Sequence, residues 1–213
     1  MARAGLSPEV LVTAAAELAD EIGFENVTIG VVARRFGVRE PSLYSHIRNA
    51  NDLRVRVAAK ALGELADRLS EALAGRSGRE ALLAFAAAYR DYGRAHPGRF
   101  TAARMAVPLD SPAADAARRN SDLTRALLRG YALGEPAETD AVRLLGATVL
   151  GFVTLEAGGS YQHNARAADA SWNAAMEALD VALRNWPAAA SGEAPGSAKA
   201  PGSAKAPEPA EAP

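Results

Sequence analysis

The twenty-one residues from Thr28 to Arg48, TIGVVARRFGVREPSLYSHIR, constrain the fold more than any other stretch of the chain. Ile29, Val32, Ala33 and Phe36 recur at the spacing that puts side chains on one face of a helix. Phe36-Gly37-Val38 reads as a tight turn, with Gly37 supplying the backbone freedom that it needs. Leu43 and Ile47, four apart, then mark the inward face of a second short helix, and Pro41 sits in its first turn, where a missing N–H costs little. With those positions turned inward, Arg39, Glu40, Ser42, Tyr44, Ser45 and His46 are left facing out. They are polar, mostly short, and carried on an element small enough to enter a DNA major groove.

Charge supports that reading through its distribution. The chain as a whole has a net charge of -1, but residues 34–60 hold Arg34, Arg35, Arg39, Arg48, Arg54, Arg56 and Lys60 against Glu40 and Asp52, seven minus two, or +5. Positive charge on and just after the motif is where phosphate contacts are wanted. The plainer alternative makes Arg34 and Arg35 the solvated face of a helix.

The rest of the chain reads as helices separated by Gly and Pro. Ser7-Pro8 opens the first, with Ser as N-cap and Leu11, Ala15, Leu18 and Ile22 as its stripe, and Gly23 closes it. Thr28 is the expected N-cap of the next. Asn49 or Asn51 starts a long helix that carries Leu53, Val57, Ala61, Leu65, Leu69 and Leu73 to about Ala74. Further helices are expected at about Arg79–Ala95, Arg99–Ala106, from Ser111-Pro112 to near Gly134, at 137–158 and at 168–186. No stretch alternates with period two, so the predicted class is all-α, with no sheet. Three units follow: a three-helix helix-turn-helix unit at 1–50, a helical unit at 51–187, and a tail at 188–213. The tail's 26 residues include ten Ala and five Pro, with the hexapeptide Ala-Pro-Gly-Ser-Ala-Lys at 194–199 and again at 200–205. Such a segment buries too little apolar surface to offset its ordering entropy, and disorder is expected there.

The motif VREPSLYSHIRN at 38–49, preceded by two short helices and followed by about six more, resembles the TetR family of bacterial transcription regulators. Leu43-Tyr44 is the most family-specific part, and Pro41 and His46 look like the tetracycline-repressor branch. The resemblance is specific over about residues 8–60. It is weaker at HPGRFTAARM, 96–105, and LLGATVLGFVTLE, 144–156. It implies that Tyr44, His46 and Thr28 meet the sugar-phosphate backbone and that Arg39, Glu40, Pro41, Ser42 and Ser45 face the groove. Two positions depart from the pattern. Gly30 stands where the tetracycline repressor reads a base with arginine, and Ala50 where the family usually has a phosphate-binding lysine; Arg48 or Arg54 would substitute. Glu40 either accepts from a cytosine amino group or pairs with Arg39 or Arg34.

The resemblance further implies that the second unit binds a small effector and forms a homodimer through the helices at about 137–158 and 168–186. The first of these is apolar nearly all round between Arg143 and Glu156, so it must be covered on several sides. A pocket between the middle helices would draw its lining from Phe85, Tyr89, Tyr92, Arg104, Met105, Leu127, Tyr131, Phe152, Glu156 and Trp172, a set suited to a mostly hydrophobic molecule. Each of these residues serves equally well as ordinary core.

No catalytic pattern competes with this. The three histidines, His46, His96 and His163, have no second ligand at metal spacing, and no HExxH, GxSxG, GxGxxG or P-loop motif occurs. Neither catalysis nor a cofactor is expected. The longest charge-free apolar run, Leu144 to Leu155, has 12 residues and is too short to span a membrane. With no cysteine and no signal-peptide pattern, a cytoplasmic location is expected. The predicted function is a regulator, most simply a repressor released from a palindromic operator by its effector. The alternative is a helical ligand-binding or scaffold protein whose DNA binding has degraded, as Gly30 and Ala50 would suggest.

Overall fold

A computed structural model describes residues 6–187; the expected tail at 188–213 lies outside them. Among the described residues every regular element is helical: α1 (Pro8–Ile22), α2 (Ile29–Arg35), α3 (Ala50–Leu73), α4 (Gly78–Ala95), α5 (Pro97–Ala102), α6 (Pro112–Leu128), α7 (Ala137–Ala157) and α8 (Ala168–Arg184). Short 3-10 turns occupy Phe24–Asn26, Glu40–Leu43 and Arg129–Tyr131.

Capping chemistry sets the boundaries of the N-terminal unit. Ser7 Oγ accepts from the Val10 N–H at 3.3 Å, Thr28 Oγ1 from Val31 at 3.2 Å, and Asn49 Oδ1 from Asp52 at 2.9 Å. Each side chain satisfies a donor that the first helical turn leaves free. At the end of α2, Gly37 adopts φ +63°; its N–H reaches the Arg34 carbonyl at 3.1 Å and the Val38 N–H reaches the Ala33 carbonyl at 3.0 Å. This is a Schellman closure, and it turns the chain sharply toward the next element.

That next element is shorter than the sequence suggests. Instead of a second α-helix, Glu40–Leu43 forms one 3-10 turn, continued as a turn through His46, whose N–H and that of Ile47 both reach the Leu43 carbonyl at 2.9 Å. Pro41 contributes no donor, and Asn49 already has the extended backbone of the cap of α3. Too few residues lie between these points to close an α-helix. The expected anchors still hold it: Leu43 and Ile47 are 1% and 2% exposed.

Two main cores follow. The first joins Leu11, Ala15, Leu18, Phe24, Val32, Leu43 and Ile47 to Leu53, Val57 and Ala61 of α3 and to Ala102 of α5. The second joins Leu65 and Leu69 of α3 to Phe85, Leu127, Leu145, Val149, Val153, Trp172 and Met176. Packing therefore crosses residue 50, because α3 is one rigid helix whose first half completes the N-terminal core and whose second half completes the other. The expected pairing of residue 111 with a cap differs in detail: Ser111 Oγ donates to the Pro108 carbonyl at 2.6 Å and accepts nothing from α6. No helix of the described residues is long and apolar enough to cross a membrane.

Candidate DNA-binding face and effector cavity

The turn at 40–46 presents one face to solvent. Arg39, Glu40, Pro41, Ser42, Tyr44 and Ser45 are exposed, with Thr28 and Arg48 beside them, while His46 is half-buried. Tyr44 stands 52% exposed between the buried Leu43 and the rest of the turn, so its phenol contributes little to the core. Ser45 Oγ donates to the Ser42 carbonyl at 3.1 Å, which orients its lone pairs outward. Thr28 Oγ1 is engaged in capping α2, and Thr28 itself remains exposed.

The basic residues of this region divide into two groups. Arg35 pairs with Glu21 at 2.9 Å and Glu17 at 3.5 Å, Arg56 with Asp52 at 3.1 Å, and Lys60 with Glu64 at 3.1 Å. Arg54 lies over the Phe24 ring, 4.4 Å from its centroid, and is occupied as a cation–π partner. Arg34, Arg39 and Arg48 are exposed and make no ion pair among the described residues. Of the two arginines that could substitute for the lysine missing at Ala50, Arg48 is exposed and Arg54 is held against Phe24. The alternative reading of Arg34 and Arg35 as one solvated face splits: Arg35 ties α2 to α1, and Arg34 is free.

The second unit contains a small, partly open cavity of about 110 Å3 between α4, α6 and α7, lined by Phe85, Tyr89, Thr124, Val142, Leu145, Gly146, Val149 and Leu150. Of the ten residues expected to line a pocket, Phe85 and Tyr89 line this cavity, and Glu156 lines a separate one of about 300 Å3 with Gly93, Arg94, Pro97, Val153 and Ala157. Burial pushes the Tyr89 phenol up to about 12, against the nearby charge of Arg104, so it is a neutral hydroxyl. Thr124 adds a second hydroxyl, which donates to the Asn120 carbonyl at 2.9 Å and keeps acceptor capacity. The six other wall residues are missed in the sequence, because a void between correctly spaced side chains leaves no trace in spacing.

The other eight expected residues are placed elsewhere. Tyr92 is fully buried; its hydroxyl donates to the Ala61 carbonyl and meets Glu64, each at 3.1 Å, so it belongs to the core. Met105 packs against the N-terminal core. Arg104 is exposed, and its Nη1 donates to Thr154 Oγ1 at 2.9 Å. Leu127 is core, and Tyr131 donates to the fully buried Asp180 at 2.8 Å. Phe152 and Trp172 flank Arg90, at 5.4 and 4.9 Å from its guanidinium carbon. Glu156 is not a free carboxylate: Arg90 Nε and Nη2 donate to it at 2.9 and 2.6 Å and Arg94 Nη2 at 2.8 Å. The hydrogen bond from Arg90 holds its carboxyl below the usual range despite the opposing effect of burial. A larger concavity of about 450 Å3, lined by Glu9, Val10, Thr13, Ala14, Glu17, Arg35 and Phe36, is open to solvent on the N-terminal unit and lacks enclosing walls.

A contact that the sequence did not announce joins the two units. The Asp20 carboxylate of α1 accepts the Arg99 backbone N–H of α5 at 2.9 Å and lies 3.0 Å from Arg99 Nε and 3.1 Å from His96 Nδ1. Arg99 Nη1 reaches Glu64 of α3 at 3.2 Å. Gly98 lies directly on the last turn of α1; a Cβ there would fall 1.8 Å from the Ala19 carbonyl oxygen. Only the proximity of His96-Pro97-Gly98-Arg99 to a remote acid could have revealed this.

Comparison with known proteins agrees with this geometry. Residues 11–57 match the model for bacterial regulatory proteins of the tetR family, and residues 82–179 match the tetracycline-repressor-like C-terminal domain. An uncharacterized HTH-type transcriptional regulator of Mycobacterium tuberculosis is 37% identical over 159 residues, covering 73% of this chain and 72% of that protein. The class A tetracycline repressor of Escherichia coli is 37% identical over 103 residues, 44% of this chain and 46% of that protein. Among solved structures, a Rhodococcus protein of unknown function has a TM-score of 0.70 at 22% identity, covering 84% of this chain and 96% of that one. A TetR variant of Acinetobacter baumannii in complex with minocycline has a TM-score of 0.65 at 21% identity, covering 84% and 97%. The chain belongs to the TetR family: it is a DNA-binding, ligand-responsive transcriptional regulator with an N-terminal helix-turn-helix and a helical C-terminal domain of the tetracycline-repressor type.

Proposed function

We propose that the protein acts in the cytoplasm as a homodimeric repressor, holding an inverted-repeat operator until a small, mostly apolar effector enters the cavity between α4, α6 and α7. The observation that carries the DNA half is the face at 39–48. Leu43 and Ile47 are spent on the core, and Arg39, Glu40, Pro41, Ser42, Tyr44, Ser45 and His46 are left for the groove and the backbone, with Arg48 and Thr28 at its edges. Two such faces would enter successive major grooves about 34–36 Å apart.

The dimer would form through α7 and α8. Leu144, Leu155 and Val181 are large apolar residues exposed at 39%, 48% and 53%. A Cβ at Gly151, on the same side of α7 as Leu144 and Leu155, would meet nothing within 4 Å, so that side of α7 is open to close helix approach. The effector reaches the operator through α5: a shift of α4 or α6 around a filled cavity moves His96-Pro97-Gly98-Arg99, which is fastened to α1 at Asp20. Effector and operator then weaken each other equally, since the coupling is a single free energy.

The decisive test is footprinting on DNA upstream of the protein's own gene, with a salt titration. A protected inverted repeat with steep salt dependence is expected. Failure to protect any repeat there, together with no sequence preference in a random duplex pool, would overturn the reading.

A further inference from the structure

Glu40 carries the single carboxylate of the face at 39–48. It is exposed, and among the described residues it pairs with neither Arg34 nor Arg39 nor any other cation. Its carboxylate lies instead over α2 at Gly30: a Cβ on that residue would stand 3.0 Å from Glu40 Oε1, 3.4 Å from Cδ and 3.9 Å from Thr28 Oγ1. Gly30 has no positive φ, so its backbone does not demand glycine. Inside a helix it costs about 0.5–1 kcal/mol relative to alanine. What it supplies is the space in which the carboxylate rests.

We propose that Gly30 is a specificity-determining position that acts through Glu40, and that the pair reads a cytosine in the operator; this rests on the operator reading above. An exposed carboxylate in a major groove is repelled by phosphates and by the acceptors guanine N7 and O6 and thymine O4. The groove offers it two amino donors. Adenine N6 lies next to the acceptor N7, which a carboxylate cannot satisfy, whereas cytosine N4 stands beside a C5–H. Cytosine is therefore the base that Glu40 accepts from. Gly30 is a positioning residue: it lets the Glu40 side chain lie against α2 and so fixes where the carboxylate oxygen is presented.

Selection from a random duplex pool at fixed salt tests this with wild type, Glu40→Gln and Gly30→Ala. Wild type should enrich an inverted repeat in which one position of each half-site is cytosine. Glu40→Gln should exchange that cytosine for adenine, whose N6 and N7 suit an amide, and leave the other positions unchanged. Gly30→Ala should not lower the melting temperature, because alanine is favoured over glycine in a helix and the group that its Cβ displaces is the end of a flexible side chain. It should weaken the preference at the same position about tenfold, or about 1.4 kcal/mol. A cytosine preference that survives Glu40→Gln overturns the assignment to Glu40, and an unaltered preference in Gly30→Ala overturns the role of Gly30. An enriched repeat with no cytosine of this kind overturns the inference alone, whereas no enriched repeat at all overturns the operator reading with it.

Discussion

The two units of this regulator separate stability from function in different ways. In the N-terminal unit the two jobs fall on different side chains, often adjacent ones. Leu43 and Ile47 anchor the recognition turn at 1% and 2% exposure, while Tyr44 between them stands 52% exposed. In the C-terminal unit, on the proposed reading, one residue would do both. Phe85, Leu145 and Val149 are buried core and also walls of the cavity. A binding face that projects can be rewritten without touching the fold. A cavity inside a core changes whenever the packing changes.

The largest effect expected from removing a charge lies where the C-terminal unit buries one. Arg90 has 6% of its side chain exposed and relies on Glu156 and, more peripherally, on Asp169. Glu156→Ala removes the bidentate partner of a buried cation and should cost about 3 kcal/mol, the low end for a broken buried pair because Asp169 stays. Denaturant unfolding measures it. The sign of the pH dependence follows from the lowered carboxyl. The pair's stabilisation is complete above the ordinary value of 4.5 and is lost as pH falls through the lower folded value. The gap between wild type and variant should therefore be widest near neutrality and narrow only as pH falls below 4.5. A gap that is constant with pH would mean that the side chain's packing, and not its charge, is what matters.

The junction between the units comes next. Gly98→Ala puts a methyl group into the Ala19 carbonyl, where backbone meets backbone and neither side is a flexible tip. We expect a loss of about 1–3 kcal/mol. Asp20→Asn keeps the shape but removes the charge facing Arg99 and His96, and it should cost less stability than Gly98→Ala. Its informative readout is induction: operator affinity without effector should stay within about threefold of wild type, a shift of under 1 kcal/mol, while the effector's power to release DNA falls. If effector-driven release is untouched, α5 is not the route between the units.

The same contrast explains how much was legible in the sequence. Caps and closures depend on residues within five positions of each other, and Ser7, Thr28, Gly37 and Asn49 all do what their local chemistry implies. The exposed face at 39–48 could be read because its anchors and exposed residues alternate within one short turn, although Pro41 and the nearby cap of α3 hold that turn to 3-10 geometry. The cavity could not. Thr124 and Val142 come from different helices, and the gap between them is a property of how α6 settles on α7. Tyr92 and Glu156 stand among the residues read from the sequence as pocket lining. Their partners, Ala61 with Glu64 and Arg90 with Arg94, lie 28 to 66 residues away and have already used them.

The smallest expected effect on stability is also the sharpest test of the contrast, because it uses neighbours. Leu43→Ala empties a buried site and should cost about 2–5 kcal/mol, with operator binding lost through disorder of the turn. Tyr44→Ala should leave the unfolding midpoint within about 0.5 kcal/mol of wild type, since more than half of the side chain is already in water. Its loss should appear only in operator affinity, as a backbone contact that weakens all sequences alike and not as a change in the preferred bases. The pair must be measured together at one salt concentration, because phosphate contacts fade as salt rises. If Tyr44→Ala unfolds the turn as Leu43→Ala does, the face is part of the core and the N-terminal unit mixes its two jobs as the C-terminal unit does.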